Sequence, residues 1–135
     1  MIGIDTNVLV RYLVQDDAAQ SATANDFMER RLTVDEPGYL SVVVMAETAW
    51  VLERRYGWSG QALAGILEQV LQADVLVVEH EQEVAEAVSM LNAGLGSFSD
   101  ALVSAMARQA GCIHTVTFDR RALRLPGFAP VETGA

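Results

Sequence analysis

A four-residue apolar run that ends on an acid and turns at once into helical spacing constrains this chain more than any other stretch. Met1 to Ile4 has the length of a buried strand. It stops at Asp5, and Val8, Leu9, Tyr12 and Leu13 then recur at the spacing of one helix face. Thr6 or Asn7 is placed to cap that helix by accepting a hydrogen bond from a free backbone N–H. An acid therefore stands at the carboxyl end of a strand, the edge where open α/β sheets collect their ligands. Asp5 has a second explanation, as an acid favoured by the helix dipole. Other acids arriving at the same edge would separate the two.

The remainder of the chain repeats this alternation. Asp16-Asp17 before Ala18-Ala19 marks a helix start, with Ala22, Phe27, Met28 and Leu32 on the expected buried face. Pro37-Gly38 punctuates, and Tyr39-Leu40 is a minimal strand. Ser41 then caps a long apolar helix from Val42 to about Tyr56, closed by Gly57. Ser59 opens a helix through Leu71, and Val75 to Val78 is the clearest strand, nearly all β-branched. Glu81 to Leu95 and Phe98 to Ala110 return to helical spacing. Ile113 to Thr117 reads as a strand, and Phe128 to Val131 as a last edge strand. Strands alternating with helices predict an α/β fold with a parallel sheet covered on both faces. Nothing resembling a linker or repeat interrupts it, so residues 1–135 are expected to form a single domain.

Composition removes several chemistries. Cys112 is the only cysteine, which excludes an internal disulfide and a thiolate cluster; standing before an apolar run, it is expected to be a buried structural thiol. His80 and His114 are too few for a histidine zinc site. All nine basic residues are arginine, so a Walker loop and Schiff-base chemistry are excluded. Apolar runs fall short of a membrane span and the amino terminus lacks a basic lead-in, which points to a soluble, cytoplasmic protein with no membrane partner. The formal charge of −9 opposes nucleic-acid binding unless carboxylates hold divalent cations or local arginines form a path. The same acidity suits a basic protein partner.

Most of the acids sit at element ends or on polar faces, Glu79, Glu81, Glu83 and Glu86 among them, and read as ordinary surface charge. Glu47 differs, because it interrupts an apolar helix from Val42 to Leu52. A lone carboxylate buried there would cost several kcal/mol unless paired or metal-bound. The alternative is a helix face that meets solvent at Glu47, Thr48 and the edge of Trp50. Asp100 lies in the first turn of its helix, where the dipole alone favours it, and Ser97 or Ser99 is available as a cap. Asp119 follows a strand, either as a second acid at Asp5's edge or as a turn residue capping a short helix. In a doubly wound sheet these four positions can converge on one cleft. Four carboxylates without His or Cys are hard oxygen ligands, suited to Mg²⁺ or Mn²⁺ and to phosphoryl chemistry.

At these residues the chain resembles a known family. Asp5-Thr6-Asn7 after the opening strand, Ser41 with Glu47, Phe98-Ser99-Asp100-Ala101-Leu102 and Thr117-Phe118-Asp119 are similar to the PIN-domain ribonucleases. The length and the Ile4-Asp5-Thr6-Asn7-Val8-Leu9 opening resemble in particular the VapC toxins of bacterial toxin–antitoxin pairs. The resemblance implies a three-layer α/β/α sandwich around a parallel, five-stranded sheet. It implies Asp5, Glu47, Asp100 and Asp119 as catalytic, metal-binding acids, with Asn7 and Thr117 orienting them. It further implies Mg²⁺ or Mn²⁺ as cofactor, RNA as substrate, a homodimer, and a small VapB-type antitoxin that covers the groove.

Arg11, Arg120, Arg121 and Arg124 flank the acids in sequence and are candidates to hold RNA phosphates, with surface ion pairs as the equal alternative. Trp58 is a candidate for base stacking or for partly buried packing; Trp50, Met45, Met90 and Met106 read as core or dimer-interface residues. Among rivals, a phosphatase or phosphoacceptor domain needs a second acid where Asn7 stands, and a lysine. A PIN-fold RNA-processing nuclease outside a toxin pair, and a silent metal- or RNA-binding module, stay open.

Overall fold

The structure is a computed structural model that describes residues 1–134; Ala135, the last residue of the expected unit, lies outside the described residues. Strands and helices alternate as β1 (Ile2–Gly3), α1 (Thr6–Val14), α2 (Ala18–Asp26), β2 (Gly38–Leu40), α3 (Val42–Tyr56), α4 (Gly60–Gln72), β3 (Leu76–Val78), α5 (Glu81–Asn92), α6 (Phe98–Gln109), β4 (Thr115–Thr117) and β5 (Phe128–Pro130). One π-helical turn, Phe27–Arg31, extends α2, and a 3-10 turn, Ala122–Arg124, precedes β5. Among the described residues no helix is long and apolar enough to cross a membrane.

All strand pairing is parallel, which the alternation of strand and helix requires. Hydrogen bonds divide the five strands into a sheet ordered β1-β2-β3 and a separate pair β4-β5, rather than joining all five. One edge of β1 is bonded to the β2 segment, through Ile2 N to Pro37 O and Ile4 N to Tyr39 O, both 2.9 Å. Along this strand runs a groove of about 920 Å³ that it shares with Val8 of α1, Ala24 of α2 and Phe27. The β4-β5 pair is tied instead to α6: the Ser104 hydroxyl donates to Pro126 O at 3.0 Å. Leu125 is buried so close to Gly96 that a side chain there would collide with it. The strand expected from Ile113 shortens to Thr115–Thr117, because only those residues find partners in β5; Ile113 is 94 % exposed. Cys112 shares that exposed turn, so the expectation of a buried thiol is corrected.

Leu9 of α1, Leu40 of β2, Met45 and Leu52 of α3, Leu63 of α4 and Phe98 of α6 are sealed from solvent in one core. Each such side chain contributes roughly 1.5–3 kcal/mol of burial. Caps set the helix boundaries. The Ser41 hydroxyl accepts from Val44 N at 3.1 Å, and Gly57, at φ +68°, ends α3 with the left-handed residue that position favours. At α1 the cap is Asp5, not Thr6 or Asn7. The helix capped by Asp17 turns Ser21 and Ala24 inward and leaves Ala22 exposed, which corrects that one position of the expected face. Met28 and Leu32 are buried and Phe27 packs on the core as expected, and the Ser21 hydroxyl is satisfied by Arg11 O at 3.0 Å.

Glu79 is more than surface charge. It follows β3, is half-buried, and its carboxylate accepts from Val42 N at 2.9 Å, so it serves a free amide of the first turn of α3. That bond, then one from the Tyr39 hydroxyl, holds its pKa below the ordinary carboxylate value. Trp58 is half-buried with its ring 6.4 Å from that of Tyr56, a packing role. Met45 is buried and Met90 and Met106 pack on the core, whereas Trp50 is 53 % exposed beneath Arg54, 5.7 Å from its ring centroid.

Candidate active site

The local folding of the first turn of α1 builds the site. With β1 ending at Gly3 and α1 beginning at Thr6, Asp5 takes the extended conformation of a cap, and its Oδ1 accepts from Thr6 N at 2.8 Å. The side chain of buried Thr6 points the other way, into α3, and its hydroxyl donates to Glu47 Oε1. One residue thus fixes two carboxylates that stand 42 positions apart, Asp5 through its amide and Glu47 through its hydroxyl. Sequence reasoning singled out both acids and read Thr6 only as a possible cap, missing its bond to Glu47. The signal available for it was its place one residue after the acid that closes β1.

Glu47 and Asp5 are both exposed. Glu47 is therefore not the desolvated acid expected from its apolar helix: the α3 face opens to solvent there, while its neighbour Thr48 is fully buried. What the face opens onto is a groove of about 370 Å³ bordered by Asp5, Asn7, Glu47, Val51 and Arg55. That volume is in the range of small-ligand sites. Asp5, Asn7 and Arg11 also border the larger groove beside β1, so the two depressions meet at Asp5.

Arg11, a candidate for phosphate binding, is already engaged. Its Nη1 lies 3.1 Å from Asp16 Oδ1 and 3.3 Å from the Tyr56 hydroxyl, and its Nε donates to Gln20 Oε1 at 2.6 Å. Tyr56 in turn donates to Asp16 Oδ2 at 2.8 Å. The Tyr56 bond, followed by the charge of Asp16, pushes the guanidinium pKa further up. Arg11 is thus a junction between α1, the start of α2 and the end of α3.

Asp100 is half-buried in the first turn of α6, its amide donating to Ser97 Oγ at 3.1 Å. Asp119 is exposed after β4; its amide donates to the Thr117 hydroxyl at 3.0 Å and its Oδ1 accepts from Arg121 N at 2.8 Å. Arg120, Arg121 and Arg124 are exposed around the same turn. Among the described residues no three of Asp, Glu, His and Cys stand close enough together to hold one metal ion. The structure brings Asp5 and Glu47 to one groove; Asp100 and Asp119 do not border it.

The donor set nonetheless suits a hard divalent cation. Each carboxylate of the pair gives one oxygen to Thr6, and neither Asp5 Oδ2 nor Glu47 Oε2 has a protein donor among the described residues. Two open carboxylate oxygens with no nitrogen or sulfur ligand nearby match the chemistry of Mg²⁺ or Mn²⁺.

Comparison with curated proteins and with solved structures gives no significant match. The family model of the PIN domain matches residues 2–127. That span runs from β1 into the residues before β5 and takes in Asp5, Thr6, Glu47, Asp100 and Asp119. With nearly the whole chain matched, the protein belongs to the PIN domain family, and a nuclease-type function follows from that membership.

Proposed function

We propose that the protein is a divalent-metal-dependent endoribonuclease of the VapC toxin type, kept in check by a small antitoxin. The observation that carries this reading is the Asp5–Thr6–Glu47 arrangement, two acids fixed by one threonine at the rim of an open groove. PIN domains typically use divalent metals, and the free oxygens of Asp5 and Glu47 would hold one. A cation bound there supplies positive charge against phosphate and an acidified water. Thr6 keeps the two carboxylates in place, so little reorganisation is needed when RNA arrives. Asp100 and Asp119 are the further acids of the proposed set, with Asn7 and Thr117 as residues that position it. Cleavage would leave a 5′-phosphate and a 3′-hydroxyl without a covalent enzyme intermediate.

A homodimer and a basic, VapB-type partner complete the proposal; the net charge of −9 favours a partner of opposite sign. The test is cleavage of structured RNA in Mg²⁺ or Mn²⁺ by wild type, Asp5→Asn and Asp100→Asn at equal purity. Loss of cleavage in both variants with unchanged far-UV circular dichroism supports the reading. Full activity in either removes that acid from the site. The toxin role is tested by growth arrest on expression and its relief by the product of a short neighbouring gene.

A further inference from the structure

We propose that Arg55 is the residue of this site that grips RNA, holding a phosphate beside the reacting one; the proposal rests on the nuclease reading above. Of the nine arginines, five are already engaged. Arg11, Arg30, Arg31 and Arg108 are paired with Asp16, Asp26, Glu36 and Glu86. Arg54 lies over the ring of Trp50. Arg55, Arg120, Arg121 and Arg124 have no carboxylate within ion-pair distance among the described residues, and of these four only Arg55 borders the groove that holds Asp5 and Glu47.

Its position on α3 follows from helix geometry. Glu47, Val51 and Arg55 recur every fourth residue and form one row along the groove. At 1.5 Å of rise per residue, Arg55 stands about 12 Å along the helix axis from Glu47. An exposed arginine at that offset is placed for a phosphate along the strand from the one at the acids. The planar guanidinium suits two phosphate oxygens at once. In a chain of net charge −9 one unpaired cation at the groove carries unusual weight, because polyanion binding depends on the phosphates neutralised. Exposed and without an ion pair among the described residues, Arg55 can be replaced without disturbing the fold.

The experiment uses the full chain and a fluorescein-labelled single-stranded RNA. Binding is read by anisotropy over a series of salt concentrations with Ca²⁺ in place of Mg²⁺, and cleavage is followed separately in Mg²⁺. Arg55→Ala is compared with Arg55→Lys and with Arg30→Ala, which removes an equal charge away from the groove. The expected result is about tenfold weaker binding for Arg55→Ala at moderate salt, with the slope of log K against log salt reduced by about 0.7. KM should rise while kcat stays within about twofold, and Arg55→Lys should recover the salt slope but only part of the affinity. Arg30→Ala should match wild type. Binding and KM for Arg55→Ala indistinguishable from Arg30→Ala, in a wild type that binds and cleaves RNA, overturn the assignment of Arg55 alone. A wild type that neither binds nor cleaves RNA overturns the nuclease reading and this proposal with it.

Discussion

The hydroxyl of Thr6 donates to Glu47 across 41 positions of chain, and the amide of the same residue donates to Asp5. The two acids are therefore coupled to one buried side chain on α1, so a change at Thr6 should act on both without removing either. Thr6→Val keeps the shape and deletes the donor. Because Glu47 is exposed and can take a water instead, the stability cost should be about 1 kcal/mol in chemical denaturation. Residues that orient metal ligands typically affect metal affinity or activity by about 10- to 100-fold, and a loss of that size is expected here. Thr6→Ser should restore most of it. Equal cleavage by Thr6→Val and wild type would show that the link has no functional part.

Arg11 gives the opposite expectation to Arg55. Its guanidinium is spent on Asp16, Tyr56 and Gln20, so Arg11→Ala should lower the melting temperature and leave the salt dependence of RNA binding unchanged. A reduced salt slope with an unchanged melting temperature would return Arg11 to the phosphate-binding residues.

Glu79 supplies a pH dependence whose sign is fixed. Its folded pKa lies below the ordinary 4.5, first because Val42 N–H donates to it and then because Tyr39 does. The unfolded chain therefore takes up this proton more readily. The stabilisation is complete above about pH 4.5 and is lost as pH falls through the folded value. Glu79→Gln should be less stable than wild type near neutrality, and the difference should shrink in denaturation series run toward about pH 3. A difference that stays constant over that range would mean that the carboxylate charge does not matter at the start of α3.

Gly127 adopts φ +92°, and a Cβ there would run into the Ser104 hydroxyl. Gly127→Ala should cost about 1–3 kcal/mol, concentrated in the β4-β5 pair. The reporter is the Thr115 amide, which donates to Gly127 O at 2.8 Å and should exchange faster in the variant. Unchanged exchange at Thr115 would show that the pair is not anchored through this contact.

Much of the architecture was legible because caps and periodicity are local. Ser41, Gly57, the Asp16-Asp17 pair and the choice of Ser97 or Ser99 marked helix ends, and Val75 to Val78 marked a strand, through interactions spanning a few residues. Asp5 and Glu47 stood out as acids in apolar company. What was not legible depends on contacts remote in sequence. The exposure of Ala22, the shortening of β4 and the exposure of Cys112 follow from contacts that the neighbouring elements make or fail to make. The division of the strands into two sheets is likewise set by remote pairing, and the segment before β5 is held by the Ser104 hydroxyl on Pro126 O and by Leu125 against Gly96. Thr6 looked like a possible cap, and its link to Glu47 exists only once α1 and α3 are side by side.

In the proposed site Asp5 and Glu47 together hold a divalent cation. Calorimetric titration of Mn²⁺ into wild type, Asp5→Asn and Glu47→Gln, without RNA, tests it most directly. Wild type should bind, and each variant should lose at least about tenfold in affinity with its melting temperature little changed. Equal Mn²⁺ affinity in all three proteins would show that these two acids do not hold the cation.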